Sequence, residues 1–96
     1  MTIFFVTRHP GAVDWSAAEG IIVDHALDHL DVSRVARGDV VIGTLPVNLI
    51  AEVNARGAQY LHLTLELPPE LRGKELTAEE MRRCGARLEN YSATKL

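Results

Sequence analysis

The stretch Val40-Val41-Ile42-Gly43-Thr44-Leu45 constrains this chain more than any other. It is an unbroken apolar and β-branched run, entered through Gly38-Asp39 and left through Pro46. A strand that is apolar on both sides suits a sheet covered on both faces, as parallel sheets are. Proline is accepted in the first turn of a helix, so a helix is expected from Pro46, with Val47, Ile50, Ala51 and Val53 apolar and Gly57 as its stop.

The same grammar recurs along the chain. Thr2–Thr7 (TIFFVT) reads as a buried strand broken by His9-Pro10-Gly11, with a short helix over Asp14–Glu19 closed by Gly20. Ile21–Ala26 reads as a second strand, and Leu27–Arg37 as mixed, with Asp31 able to cap a short turn. Ala58–Leu67 alternates Leu61, Leu63, Leu65 and Leu67 against His62, Thr64 and Glu66, the pattern of an edge or partner-facing strand. Pro68-Pro69 forces an extended exit, and Glu70–Leu76 reads as a loop with Arg72 and Lys74 exposed. Thr77-Ala78-Glu79-Glu80 is a capping box, after which Met81, Cys84, Leu88 and Tyr91 recur at helical spacing, predicting a last helix to about Tyr91.

Strands alternating with helices predict a small α/β, Rossmann-like domain over residues 1–96, with a mainly parallel sheet of about four strands and a frayed tail at 93–96. In such sheets ligands bind beyond the carboxyl ends of the strands, near a reversal of strand order. That rule selects Thr7–Gly11, Gly43–Asn48 and Glu66–Pro69. In the first segment Arg8 offers a planar fork of donors, His9 a proton acceptor or donor near neutral pH, and Gly11 a close backbone approach, beside Thr7 and Pro10. In the second, Gly43, Thr44, Leu45, Pro46 and Asn48 lie at a helix start, where free N–H groups suit an anion. Both segments also read as plain surface turns.

Other residues favour ordinary roles. His25 and His29 stand four apart among Asp24, Asp28 and Asp31, but the pair begins in a strand, so a solvated acidic turn is favoured over a metal site. His62 reads as a satisfied sheet histidine. Trp15, off the Val13/Ala17 face, reads as packing or as a stacking platform. A single cysteine, Cys84, excludes an intrachain disulfide and a cysteine-built zinc site. The net charge of −3 argues against binding long duplex nucleic acid, though local donors can still hold a small anion. No stretch approaches a membrane span, so a cytoplasmic protein is expected, without cofactor or metal. At 96 residues the core is near the lower workable limit, and a homodimer would supply further burial.

Taken together, TRHPGAVDW, GDVVIGTLPVNL, ARGAQYLHL and PPELRGKELTAEEM closely resemble the small Csx-type accessory proteins of type III CRISPR systems, the family numbered sixteen. The resemblance covers nearly the whole chain. It implies a Rossmann-like relative of cyclic oligoadenylate sensors with ring nuclease activity, cutting the messenger cyclic tetra-adenylate. On that reading a dimer would act without metal. The residue roles follow from the chemistry of the segments rather than from the family: Arg8 and N–H groups at Thr44–Val47 would hold phosphate, His9 would serve as acid or base, and Asn48 and Trp15 would orient adenines. The alternatives are a protein that sequesters the same messenger uncut and a protein-interaction domain.

Overall fold

The computed structural model describes all residues, Met1–Leu96. Its elements are β1 (Ile3–Val6), α1 (Pro10–Ala18), β2 (His25–Leu27), β3 (Val40–Gly43), α2 (Val47–Ala55), β4 (Gln59–Thr64), α3 (Ala78–Arg83) and β5 (Arg87–Tyr91), with 3-10 turns at Val32–Arg34 and Pro69–Leu71. The five strands form one sheet in the order β2-β1-β3-β4-β5. The first four are parallel to one another, and β5 runs antiparallel to β4.

Both faces are covered, which is why β1 and β3 are apolar throughout. On one face Phe4, Val41 and Tyr60 pack with Val53 of α2 and with Val35 and Ala58. On the other, Phe5, Ile42 and Leu63 pack with Ala12 and Trp15 of α1 and Met81 of α3. The strand order reverses between β1 and β3, because β2 returns to one side of β1 while the chain then grows on the other. That switch leaves the carboxyl ends of β1 and β3 side by side.

Several expectations hold. Asp31 caps its short turn, accepting the Ser33 N–H at 3.0 Å. Thr77 and Glu80 form the capping box, and Gly57 ends α2 with φ of 86°. Others need correction. The helix after the capping box covers only Ala78–Arg83; Cys84 caps it, Gly85 turns with φ of 73°, and the chain leaves as β5. Leu88 and Tyr91 therefore belong to a strand, and β4 is interior rather than an edge. The first helix begins at Pro10 rather than Asp14, and its buried side is Gly11, Ala12, Trp15 and Ser16. The second strand covers only His25–Leu27 rather than Ile21–Ala26, and at its entry Asp24 accepts the Ile3 N–H on its side chain at 2.7 Å. The end of the chain is tied back, with Ala93 N–H donating to Asn54 Oδ1 at 2.8 Å.

Candidate functional site

A cavity of about 410 Å³ opens at the β1–β3 switch, on the face carrying α1 and α3. Three of its walls come from strand ends: Val6, the last residue of β1, with Thr7; Gly43, the last residue of β3, with Thr44; and Leu65 and Leu67 after β4. The fourth is the segment Gly73–Leu76, which leads into α3. All three segments selected from the sequence thus reach one hollow, although not every residue in them does.

His9 is the chemically pointed member. It caps α1 with extended backbone, and Pro10 follows at the first helical position, where a missing N–H costs nothing. The Thr7 hydroxyl accepts the His9 backbone N–H at 3.1 Å, which holds the turn. Across the mouth, Glu75 Oε1 lies 2.9 Å from His9 Nδ1. A carboxylate only accepts, so Nδ1 carries the proton and donates it, which leaves Nε2 of the neutral ring free to take one. Both side chains are about two-thirds exposed, at 64% and 67%, so the contact orients the ring more than it stabilises the fold.

Gly11 makes that contact possible. A Cβ there would overlap the carbonyl oxygen of Leu76, so only glycine lets the Gly73–Leu76 segment lie against the start of α1. The close approach expected at Gly11 is therefore to the protein's own backbone, not to a ligand. Sequence reading missed Glu75 altogether, because its partner stands 66 residues away and no local pattern marks it.

Arg8 goes the other way. Consecutive residues at the strand end diverge, and the Arg8 guanidinium donates to His29 Nε2 at 3.1 Å, over the loop that follows β2. Arg8 does not line the cavity, but it stays exposed on the same edge of the sheet. His25 stacks on Phe4, with ring centroids 5.5 Å apart, and takes no part in a ligand cluster with His29. No group of histidine, cysteine, aspartate and glutamate side chains is arranged to hold a metal ion.

The β3–α2 turn is built differently. Tyr60, fully buried, places its hydroxyl between two backbone groups of this turn, donating to the Gly43 carbonyl at 2.9 Å and accepting the Leu45 N–H at 3.0 Å. His62 Nδ1 sits 2.7 Å from the same oxygen. With the one phenolic proton given to Gly43, Nδ1 must be the donor, and the hydroxyl is then saturated. Burial pushes the Tyr60 phenol above its ordinary range, so it stays protonated. The Leu45 N–H expected to meet an anion is thus already engaged, and Pro46, the cap of α2, has none. Thr44, exposed, is the part of the turn that faces the cavity with a polar side chain.

Two expected ligand contacts lie elsewhere. Trp15 is 2% exposed beneath α1, packed against the sheet, and presents no face for stacking. Asn48 lines a separate, shallower hollow of about 810 Å³ between α2 and the chain end, with Val47, Ala51, Glu52 and Lys95 among its walls. That hollow is the larger, but it holds no histidine and lies off the strand ends. Lys74 joins the cavity rim as a cation beside Glu75.

No helix of the structure is long and apolar enough to cross a membrane. No curated protein matches the chain, and no solved structure matches it. A family model does, over residues 4–94, and its description reads "Putative CRISPR-associated protein (Cas_VVA1548)". That span takes in every strand and helix except the first residue of β1, together with the whole of the cavity. The chain belongs to the Cas_VVA1548 family of CRISPR-associated proteins.

Proposed function

We propose that this CRISPR-associated protein is a metal-independent ring nuclease that opens cyclic tetra-adenylate to linear products. The observation that carries the reading is the His9–Glu75 pair, an oriented imidazole at the mouth of a cavity at the sheet's switch point. The ligand class comes from the resemblance to the Csx-type proteins, and membership of a CRISPR-associated family is consistent with it.

The chemistry asks little of the protein. The ribose 2′-oxygen attacks its neighbouring phosphorus, the P–O5′ bond breaks, and the ends are a 2′,3′-cyclic phosphate and a 5′-hydroxyl. His9 Nε2 takes the 2′-proton, and Glu75 steadies the imidazolium that results. Lys74 and Thr44, both exposed and both lining the cavity, would offset charge on the phosphorane. The departing 5′-oxygen is protonated from solvent at the exposed mouth. A ring of repeating units presents equivalent phosphates, so two copies of the chain about a two-fold would offer the same groups from both sides. Arg8, exposed on the same edge, would then meet a further phosphate.

General base help is worth about 10²–10⁴-fold. Under single-turnover conditions, His9→Ala is expected to slow ring opening by that factor and to leave the affinity for the ring nearly unchanged. An equal rate in the variant removes His9 from the mechanism. One observation favours sequestration instead: the cavity holds a single histidine, and beyond it the weakly acidic Lys74 ammonium is the one cationic proton donor in its lining. Tight binding with the ring intact would select that reading, and no thermal stabilisation by any cyclic adenylate would select a protein-interaction domain.

A further inference from the structure

The rim of the cavity and its floor differ in chemistry. The polar side chains of the lining are the more exposed ones: His9, Thr44, Lys74 and Glu75 are exposed and Thr7 is half-buried, which sets them at the mouth. The buried part of the lining is aliphatic and aromatic carbon, from Phe5, Ala12, Leu63 and Met81, with Leu65 and Leu67 half-buried beside them. A phosphodiester backbone is charged and strongly hydrated, and such a floor offers it nothing. The flat faces of a nucleobase, by contrast, gain from apolar contact, and a thioether such as that of Met81 packs well on an aromatic ring.

Size narrows the occupant further. At about 410 Å³ the cavity lies low in the range of roughly 300–1,000 Å³ typical of sites for one small molecule. It has room for one nucleotide unit and not for a ring of four. We infer that the cavity receives one nucleobase of the ligand, turned out from its neighbours, with its ribose left at the mouth beside His9. The inference rests on the cyclic adenylate reading and adds what fixes the register of the cut: insertion of the base decides which 2′-oxygen stands at His9 Nε2. The remaining nucleotides then lie outside, on the edge where Arg8 is exposed.

The chain carries its own reporter. It has two methionines, Met1, 84% exposed, and Met81, 4% exposed on the cavity floor. With carbon-13 in the methionine methyl groups, each gives one signal, and an aromatic ring seated in the cavity moves that of Met81 through its ring current. The full chain is titrated with adenosine 5′-monophosphate, with ribose 5-phosphate and, in the His9→Ala form to keep it uncut, with cyclic tetra-adenylate. The expected result is a saturable shift of Met81 with the nucleotide and the ring, none with ribose 5-phosphate, and Met1 unmoved. Binding of either adenylate, seen in backbone amide signals, with Met81 unmoved would overturn the inference while leaving the nuclease reading standing. A Met81 shift with the mononucleotide but no binding of the ring would support the base pocket and sink the nuclease reading. No binding of either would overturn both.

Discussion

Two turns leave the ends of neighbouring parallel strands in this protein, and both contain a proline that starts a helix. Beyond that they have little in common. The turn after β3 is closed on itself: the Tyr60 hydroxyl takes up the Gly43 carbonyl and the Leu45 N–H, and His62 fills what remains of that oxygen. The turn after β1 is open. Its backbone is held by Thr7 and by Gly11 against Leu76, while its side chains are left to other tasks, Arg8 toward His29 and His9 toward Glu75. Local sequence grammar places both turns at the same edge of the sheet. Tertiary partners decide which of them is scaffold and which can do chemistry.

Gly11→Ala should break the contrast most severely. The added Cβ meets a backbone carbonyl rather than a flexible side chain, so the Gly73–Leu76 segment or α1 must move. A loss of about 1–3 kcal/mol in urea unfolding is expected, and ring opening should fall with it, because Glu75 is carried away from His9. Full activity in a stable Gly11→Ala protein would show that the His9–Glu75 contact is dispensable.

Tyr60→Phe tests the closed turn. It keeps the ring in the core but strands a carbonyl and an N–H, at an expected cost of about 1–3 kcal/mol. Hydrogen exchange at the Leu45 amide should quicken. The rate of ring opening should change far less than in His9→Ala, and a comparable loss of rate without loss of fold would place the β3–α2 turn in the chemistry.

The smallest effect is expected at the opposite end of the sheet. There the buried Asp39 accepts the Ala36 and Thr2 N–H groups, each at 2.9 Å, and these bonds hold its carboxyl below the ordinary range. Because the folded value is the lower one, the carboxylate's contribution is fully present above the unfolded value of roughly 3.9 and is lost as the pH falls through the folded value. The stability gap between wild type and Asp39→Asn should therefore be constant at neutral pH and shrink in acid below about pH 4, with ring opening at neutral pH unaffected. A gap that does not narrow in acid would contradict the assignment.

Much of this fold was legible because its central strands are apolar on both sides and its turns carry strong local signals. Thr2–Thr7, Val40–Leu45 and the Thr77/Glu80 box needed no tertiary information. The strand β5 did need it. Met81, Cys84, Leu88 and Tyr91 fit a helical period, and Gly85, the residue that ends α3, sits inside that period as an ordinary interruption. Arg87-Leu88-Glu89-Asn90-Tyr91 offers no clean alternation to compete with it, since Leu88 and Tyr91 stand three apart, and pairing with β4 makes the segment a strand. The site was legible to the level of segments, since the strand-end rule depends only on element order. Its inner wiring was not. Glu75 acquires its role through a contact made possible by Gly11, the Leu45 N–H loses its role to a tyrosine 15 residues on, and Trp15 turns out to lie on the buried side of α1.

The most direct measurement is to incubate excess protein with cyclic tetra-adenylate and a chelator, then resolve the adenylates by chromatography and analyse their ends. The account predicts disappearance of the ring and linear adenylates ending in a 2′,3′-cyclic phosphate and a 5′-hydroxyl. Recovery of the intact ring, or cleavage that stops when divalent ions are removed, would contradict it.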